Sequence, residues 1–232
     1  MAVDVALVER ANATGDAFLR LYRFDPPCVS FGRNEAAAAQ YDRERIARLG
    51  IDLVRRPTGG RAVWHGDEVT YAVAAPVTAF GSLRQAYRAI HERLALALRF
   101  LGADATLASD RLTARPPDRQ CSCFAAAVGG EVLVGGSKLV GSAQARRGAA
   151  FLQHGSILLD GSQERIAVVS REPRAASAAT TLSEELGRRV TWDEVADAVL
   201  AAWEGDFTST VLHRPPPTST ALFLDPAWTW RR

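Results

Sequence analysis

The chain has 232 residues, of which 47% are apolar and 23% charged, the proportions of a soluble globular protein with one large domain or two small ones. A formal net charge of +2 is too small to indicate binding to nucleic acid or to a membrane surface. No apolar run approaches the ~20 residues of a membrane helix, the first residues lack the apolar core of an export signal, and three cysteines argue against a disulfide framework. We therefore expect a cytoplasmic protein.

The first half of the chain is predicted to form short strands and two helices. Apolar residues at helical spacing predict a short helix over 41–49, ended by Gly50, and the longest helix over 82–101, with Ser82 as its N-cap. Alternation of apolar and polar residues between turn-forming residues predicts strands at 17–24, 28–31, 51–56, 61–65 and 68–75. We expect the last two strands to pair as a hairpin.

The second half is predicted to contain further strands and a second long helix. A proline-containing loop covers 114–120 and is followed by a cysteine-containing segment. Thr191 and Glu194 form a capping box for a helix over 191–203. Glycine turns separate three predicted strands at 131–134, 138–145 and 153–159.

The chain shows no internal repeat and no low-complexity linker. Three consecutive prolines at 215–217 indicate an irregular tail over 205–232. We therefore expect a single domain over residues 1–232, of the α+β class, with a mixed or antiparallel β-sheet flanked by helices.

The chain contains a single lysine. Of its 28 basic residues all but Lys138 are arginines, although lysine is the one of the two that loses its proton when its surroundings favour the neutral amine. Lys138 lies in the glycine-rich stretch VLVGGSKLVGSAQ, where Gly141, Ser142 and Ala143 would leave room for a ligand against the strand. The pattern indicates an amine placed at a reacting carbonyl. The alternatives are a lysine kept by chance on the surface and, for the small residues, a tightly packed pair of strands.

The stretch RRPTGGRAVWH places a glycine turn directly after a predicted strand. Gly59 and Gly60 allow the backbone to approach a ligand closely and to point amides at an anion or a carbonyl. The adjacent Arg55 and Arg56 would hold a carboxylate, a phosphate or a phosphopantetheine group. The alternative is an ordinary hairpin turn with solvated arginines.

Histidines and cysteines supply the other candidates. A lone histidine is more often a packed or surface residue than a catalyst, so neither His65 nor His154 indicates a site by itself. A catalytic thiol needs a lowered pKa and partial exposure, and Cys121 and Cys123 follow a polar loop. Cys28 is expected to be a buried apolar residue. The C-x-C pair has no further ligands near it, so we expect no metal site.

Together these segments resemble the superfamily of lipoate–protein ligases, octanoyltransferases and biotin ligases. The motifs RRPTGGRAVWH, KLVGSAQ and LQHGSILL occur in the family's order and roughly its spacing, RLYRFDPPCVSFGR is similar to its opening hairpin, and the resemblance covers most of 1–160. It implies the catalytic-domain fold of that superfamily and an acyl tunnel, with Lys138 facing the acyl carbonyl. The residues then expected to bind substrate are Arg55, Arg56, Thr58, Gly59, Gly60, His65, Gly141, Ser142, Ala143, His154 and Gly155.

The segment upstream of Lys138 resembles that of the LipM-type octanoyltransferases. Lipoate ligases usually carry an Asn-Asp pair there, whereas this chain has Cys123-Phe124, with the cysteine 15 residues before the lysine. The resemblance implies transfer of an octanoyl group from acyl carrier protein to Cys123 and then to a lysine of a lipoyl-domain protein. Lys138 would lower the cysteine pKa or transfer protons, and no cofactor is implied because the thioester is already activated. Gly66 departs from the pattern, since many relatives have an aspartate directly after the histidine.

Two alternatives remain from the sequence. An ATP-dependent lipoate–protein ligase would need ATP and Mg²⁺, would use Lys138 to contact the acyl-adenylate, and would leave Cys123 incidental. A non-catalytic acyl- or carrier-binding subunit is the other alternative, and the intact lysine and histidine-glycine motifs argue against it. None of the three predicts a nucleic acid or a membrane as a partner.

Overall fold

The computed structural model describes residues 1–109, 129–173, 179–203, 205, 208 and 217–231. Its strands are β1 (Phe18–Tyr22), β2 (Cys28–Phe31), β3 (Asp52–Arg55), β4 (Val63–His65), β5 (Glu68–Pro76), β6 (Ala105–Leu107), β7 (Val132–Val134), β8 (Ser137–Lys138), β9 (Val140–Arg147) and β10 (Ala150–Leu158). Its α-helices are α1 (Ala2–Thr14), α2 (Ala37–Gln40), α3 (Arg43–Arg48), α4 (Leu83–Phe100), α5 (Leu182–Leu186), α6 (Trp192–Ala202), α7 (Pro217–Leu224) and α8 (Pro226–Thr229), and two 3₁₀ segments cover Val77–Ala79 and Gln163–Val169. Among the helices in these ranges, none is long and apolar enough to cross a membrane.

Three sheets organise the described strands. β1, β5, β10 and β9 form an antiparallel sheet in that order, and Gly155 of β10 lies opposite Tyr71 of β5 on one side and Ser142 of β9 on the other. A mixed sheet has the order β3-β2-β4, in which β2 runs parallel to β3 and antiparallel to β4. β6, β7 and β8 form a small antiparallel sheet. The predicted α+β class, with mixed and antiparallel sheets flanked by helices, is confirmed.

The four-stranded sheet is covered by a helix on each face. Because successive strand residues point to opposite faces, β5 contributes Tyr71 and Val73 to the apolar cluster that contains α4, and Ala72 and Ala74 to the cluster that contains α1. α4 begins after Ser82, as predicted, and the Ser82 hydroxyl accepts a hydrogen bond from a backbone amide of the first turn. Three large aliphatic side chains of α4 are buried at helical spacing, each worth about 1.5–3 kcal/mol: Ile90, Leu94 and Leu98.

The predicted hairpin is wrong, because β4 and β5 belong to different sheets. β4 pairs with β2, whereas β5 pairs with β1 and β10. Gly66 and Asp67 carry the chain from one sheet to the other, and the Asp67 carbonyl accepts a hydrogen bond from the Leu159 amide at 3.0 Å. Alternation predicts a strand but not its partner. The crossing places His65 at the junction of the two sheets.

The tail expected to be irregular over 205–232 contains two helices, which is a second difference from the sequence prediction. Pro226 occupies the first position of α8, where the missing amide of proline has no partner to lose. Asp225 caps α8 by accepting a hydrogen bond from the Ala227 amide at 2.8 Å. Pro226 therefore marks the start of a helix.

The sequence pattern does not predict the N-terminal helix α1, because a charged residue lies on its buried face. Asp4 is fully buried beside Val5, Leu7 and Val8, so it interrupts the apolar stripe. Gly15 ends the helix with φ 80°, the left-handed conformation that favours glycine. α1 thereby delivers a carboxylate to the interior.

Candidate functional site

One pocket collects residues from all three sequence motifs. It lies beside β4, β5, β9 and β10. Most of the predicted substrate-binding residues line it, although they are far apart along the chain. They are Arg56, His65, Gly141, Ser142, Ala143, His154 and Gly155.

Gly155 leaves room at the wall of this pocket. A Cβ atom at Gly155 would lie 2.8 Å from Oγ of Ser142 and 2.9 Å from Cε1 of Tyr71, and it would collide with the carbonyl oxygen of Gly141. Real Cβ contacts are longer than these distances. The glycine of the motif LQHGSILL is therefore required by the neighbouring strands, which approach β10 closely on both sides.

His154 lies between a carboxylate and a hydroxyl. Its Nδ1 is 3.0 Å from Oδ2 of Asp4, and its Nε2 is 2.6 Å from Oγ1 of Thr58. Burial raises the pKa of Asp4, but the hydrogen bond with His154 and nearby positive charges, including that of Arg20, hold this pKa well below its ordinary value. Burial lowers the pKa of His154. The imidazole is therefore neutral near pH 7, with Nδ1–H donating to Asp4 and Nε2 accepting the proton of Thr58.

His65 is also held through both ring nitrogens, by other partners. Its Nδ1 is 2.6 Å from Oε1 of Glu68, and its Nε2 is 2.6 Å from Oγ of Ser30. The Ser30 hydroxyl also accepts a hydrogen bond from Nη1 of Arg56 at 2.6 Å. Both pocket histidines thus have one nitrogen on a carboxylate and the other on a hydroxyl, which fixes the orientation of each ring.

The two motif arginines donate hydrogen bonds to oxygens of the protein itself. Nη2 of Arg56 donates to the carbonyls of Gly59 at 3.1 Å and Arg61 at 2.7 Å, so its guanidinium braces the glycine turn. Arg55 does not line this pocket and is fully buried, and its expected contact with a substrate anion stays a prediction. Its donors reach five backbone carbonyls, those of Gly32, Arg33, Glu35, Thr229 and Arg231.

The rest of the glycine turn is not among the residues that line this pocket. Thr58 is fully buried and reaches the pocket only through His154. A Cβ at Gly59 would meet no atom within 4 Å, so close packing does not require glycine there. Gly60 has φ 95°, which requires glycine for backbone reasons, and its carbonyl would collide with a Cβ at Gly32. A ligand contact by Gly59 or Gly60 stays a prediction.

Lys138 is buried in an ion pair. Its Nζ is 2.6 Å from Oε1 of Glu131, and each side chain is 4% exposed. Lys138 lies on β8, in the small sheet, and does not line the pocket described above. Its predicted position opposite an acyl carbonyl stays a prediction, but burial excludes the alternative of an exposed surface lysine.

The cysteines divide between the interior and the part of the chain outside the described residues. Cys28 is buried, as predicted, and burial raises its pKa to about 12, which suits a packing residue rather than a nucleophile. Cys121 and Cys123 lie outside the described residues. Within the described ranges, no three His, Cys, Asp or Glu side chains group closely enough to hold a metal ion.

Comparison with known proteins assigns this arrangement to a family. Residues 1–204 match the family model of the lipoyl protein ligase A/B catalytic domain. The chain belongs to this family. As a member, it is similar to an octanoyltransferase LipM of Moorella thermoacetica, 38% identical over 218 residues that cover 88% of this chain and 80% of that protein. An octanoyltransferase LipM of Kyrpidia tusciae is 44% identical over 184 residues, covering 75% of this chain and 66% of the relative.

Solved structures of the family share the fold. A lipoate-protein ligase A bound with ATP superposes with a TM-score of 0.80 and 23% identity, covering 99% of this chain and 92% of that one. A bipartite lipoate protein ligase from Thermoplasma acidophilum gives a TM-score of 0.70 at 23% identity, covering 99% and 89%. At this identity the likeness establishes the fold and not the reaction.

The sequence motifs of this protein do not reveal several residues that form hydrogen bonds or ion pairs with the candidate site residues. Asp4, Ser30 and Glu68 hold the two pocket histidines, and Glu131 pairs with the lysine. Their common signal is a polar residue at a position that the local pattern predicts to be buried, which in a folded protein needs a partner. The identity of that partner cannot be obtained from the pattern.

Proposed function

We propose that this chain is an octanoyltransferase, which moves an octanoyl group from acyl carrier protein to a lysine of a lipoyl-domain protein. The observation that carries the proposal is the similarity of 88% of the chain to two proteins named octanoyltransferase LipM, at 38% and 36% identity, each covered over 80% of its length. The enzyme is accordingly an acyltransferase. Octanoyl transfer needs no cofactor, because the donor thioester is already activated.

The pocket chemistry supports an uncharged acyl group as the ligand. The side chains of His154 and His65 are bonded to protein partners through both ring nitrogens. Arg56 directs Nη1 and Nη2 to protein oxygens. These paired side chains suit an uncharged acyl chain better than a free carboxylate, which would need an unpaired donor or cation.

In the proposed reaction Cys123 carries the octanoyl group between donor and acceptor. Its thiolate attacks the carbonyl carbon of the donor thioester, the bond to the carrier sulfur breaks, and that sulfur takes up a proton. The neutral amine of the acceptor lysine then attacks the Cys123 thioester. The amide bond forms, the bond to Sγ breaks, and the proton lost by nitrogen goes to Sγ. Lys138, held by Glu131, favours the thiolate through its positive charge and transfers protons.

The ATP-dependent lipoate ligase is the second candidate, because the fold is shared with a ligase structure that holds ATP. ATP and Mg²⁺ would be required only by that reaction. A non-catalytic carrier-binding subunit is the third. The relatives named octanoyltransferase favour the transferase over both.

One experiment distinguishes the three candidates. A purified lipoyl domain is incubated with the protein and either octanoyl carrier protein or lipoate with ATP and Mg²⁺, and the domain is then weighed by mass spectrometry. The proposal expects an octanoyl adduct from the first mixture and none from the second. Modification only in the second mixture would identify a ligase, and no modification in either would identify a binding subunit.

A cysteine series tests the thioester step. Cys123→Ser should abolish transfer from octanoyl carrier protein, whereas Cys121→Ser and Cys28→Ser should keep most of the activity, since Cys28 is a buried packing residue. Intact mass analysis of the wild type should show an octanoyl adduct that hydroxylamine removes. Full activity in Cys123→Ala would overturn the transferase assignment.

We also propose that residues 1–232 form one acyl-transferase domain. The family match ends at residue 204, and the tail supports the proposal because Arg55 donates to the carbonyls of Thr229 and Arg231 at 3.1 Å. Lipoyl-domain and acyl-carrier partners follow from the proposed reaction. The cytoplasmic location and the absence of nucleic-acid and membrane partners stay predictions.

A further inference from the structure

A hydrogen-bonded chain that no sequence motif indicates reaches the pocket at Ser142. His91, on α4, is fully buried, with Nδ1 2.7 Å from the carbonyl oxygen of Gly130 and Nε2 2.8 Å from Oγ of Ser142. On its other side, Oγ of Ser142 is 2.6 Å from Oη of Tyr71. Nε2 of Gln153 donates to Oη of Tyr71 at 3.2 Å. Among these hydrogen-bonded residues, Ser142 is the one that lines the pocket.

The partners decide which atom donates in each bond. A carbonyl oxygen only accepts, so Nδ1 of His91 carries a proton. Burial lowers the pKa of His91 to about 4, so the ring is neutral near pH 7, and Nε2 accepts the single proton of Ser142. Tyr71 must therefore donate to Ser142, and Gln153 donates to Tyr71 in turn. The hydrogen bonds therefore all run in one direction, from Gln153 through Tyr71 and Ser142 to His91.

Ser142 is thereby presented to the pocket as a hydrogen-bond acceptor. Its proton is given to His91 and one lone pair receives the proton of Tyr71, so a bound molecule meets the remaining lone pair. That lone pair repels a carbonyl or thioester oxygen and binds an N–H donor. Gly155 makes the arrangement possible, because a Cβ there would lie 2.8 Å from the same oxygen.

We propose that Ser142, oriented by His91, binds an N–H of the acceptor amine as it approaches the acyl carbonyl, so that His91 is a positioning residue for the second half of the reaction. The inference rests on the proposed octanoyl transfer. His91 holds the Ser142 proton and takes none from the amine, whose proton goes to sulfur. The groups facing His91 are the ring of Tyr87 at 4.1 Å, Tyr71 through Ser142, and the charge of Lys138, which lowers the His91 pKa further.

The test measures the two half-reactions separately in the full chain. Octanoyl-enzyme is formed from octanoyl carrier protein and quantified by intact mass, and the lipoyl domain is then added and its modification timed. In His91→Leu the Ser142 proton has no acceptor and turns towards the pocket. We expect the second half-reaction to slow about tenfold, the effect of one misdirected hydrogen bond, while acylation of the enzyme changes by less than about twofold. His91→Gln, whose amide offers an oxygen to Ser142 and an N–H to Gly130, should recover most of the rate.

Ile90→Val is the matched control, because Ile90 is fully buried next to His91 on α4 and the change removes only packing. This variant should leave the ratio of the rates of the two half-reactions at the wild-type value. Two results would overturn this inference alone. One is a wild-type rate of transfer in His91→Leu. The other is an equal slowing of both half-reactions that His91→Gln does not relieve. A wild-type protein that transfers no octanoyl group would overturn the proposed function and the inference with it.

Discussion

At the scale of single residues, the surroundings of Lys138 and Gly155 limit what can replace them. Lys138 is 4% exposed and its ammonium lies 2.6 Å from Glu131. Gly155 is enclosed by the side chains of Ser142 and Tyr71 and by the carbonyl of Gly141. Each position therefore selects one residue type, the first for its chemistry and size, the second for the absence of a side chain.

Replacement of the lysine separates its chemistry from its charge. We expect Lys138→Arg to lower octanoyl transfer by at least about a hundredfold, the range seen when a positioned acid–base group is removed. Arginine keeps the charge, but it is bulkier and does not lose its proton. The rate of lipoyl-domain modification measures the effect, and thermal unfolding shows that the variant is folded. Turnover close to wild type would show that positive charge alone is sufficient beside Glu131.

A single methyl group tests the close approach of the strands. Gly155→Ala should lower the free energy of unfolding by about 1–3 kcal/mol, as overpacking of a tight interior does, and should reduce octanoyl transfer because Ser142 and Tyr71 must move apart. Denaturant unfolding and the transfer rate are the measurements. Gly59→Ala is the stability control, since a Cβ there meets no atom within 4 Å. Equal stability of Gly155→Ala and the wild type would contradict the packing described here.

At the scale of elements, Arg55 joins segments that are distant along the chain. It ends β3, and its guanidinium bonds carbonyls in the loop after β2 and carbonyls at and just beyond the end of α8, at 2.6–3.2 Å. Nε1 of Trp228 returns a hydrogen bond to the Arg55 carbonyl at 3.2 Å. Side chains of both Arg55 and Trp228 therefore join the C-terminal helix to the mixed sheet.

Arg55→Lys should loosen this junction. A lysine has three donors on one nitrogen and cannot span the five carbonyls that the planar guanidinium reaches, so we expect a loss of about 2–4 kcal/mol of unfolding free energy from the unpaired buried carbonyls. Denaturant unfolding measures it. Arg48→Lys, on the exposed surface of α3, is the matched control and should change stability by less than about 0.5 kcal/mol. Identical losses in the two variants would show that Arg55 is not a junction.

At the scale of the whole molecule, the buried histidines couple folding to pH. Burial lowers the pKa of His91 to about 4 and also lowers the pKa of His154, whereas the unfolded chain binds these protons near pH 6.5. Between about pH 6.5 and 4 the unfolded state therefore holds more protons, and stability is lost as the pH falls. Asp4, whose pKa is held below its ordinary value, adds a further loss below about pH 4.

The part of the acid loss that comes from His91 can be measured separately. Between about pH 7.5 and 5 the wild type should lose about 2 kcal/mol of unfolding free energy through His91, and more through His154. His91→Gln, which does not titrate, should lose less by about that amount. Urea unfolding at the two pH values gives the comparison. The same loss in both proteins would show that protonation of His91 does not limit folding.

The sequence by itself determined the features that depend on near neighbours. The helix α4 and its Ser82 cap, most of the strands and the glycine turn follow from local spacing and turn chemistry, which act within a few residues. The order of three motifs was sufficient to indicate the family, and it placed Arg56, His154 and Gly155 at one pocket.

Only the tertiary structure decided which groups are partners. Asp4 meets His154, and Arg55 meets the carbonyl of Thr229, across separations that no local pattern encodes. The same holds for β4, whose alternation is compatible with pairing to β5, as predicted, or to β2, as observed. A buried polar side chain must find a partner, but burial states only that one exists. Which group satisfies it depends on how the whole chain is packed, and this is why the acceptor role of Ser142 and the orienting role of His91 emerge only from the folded protein.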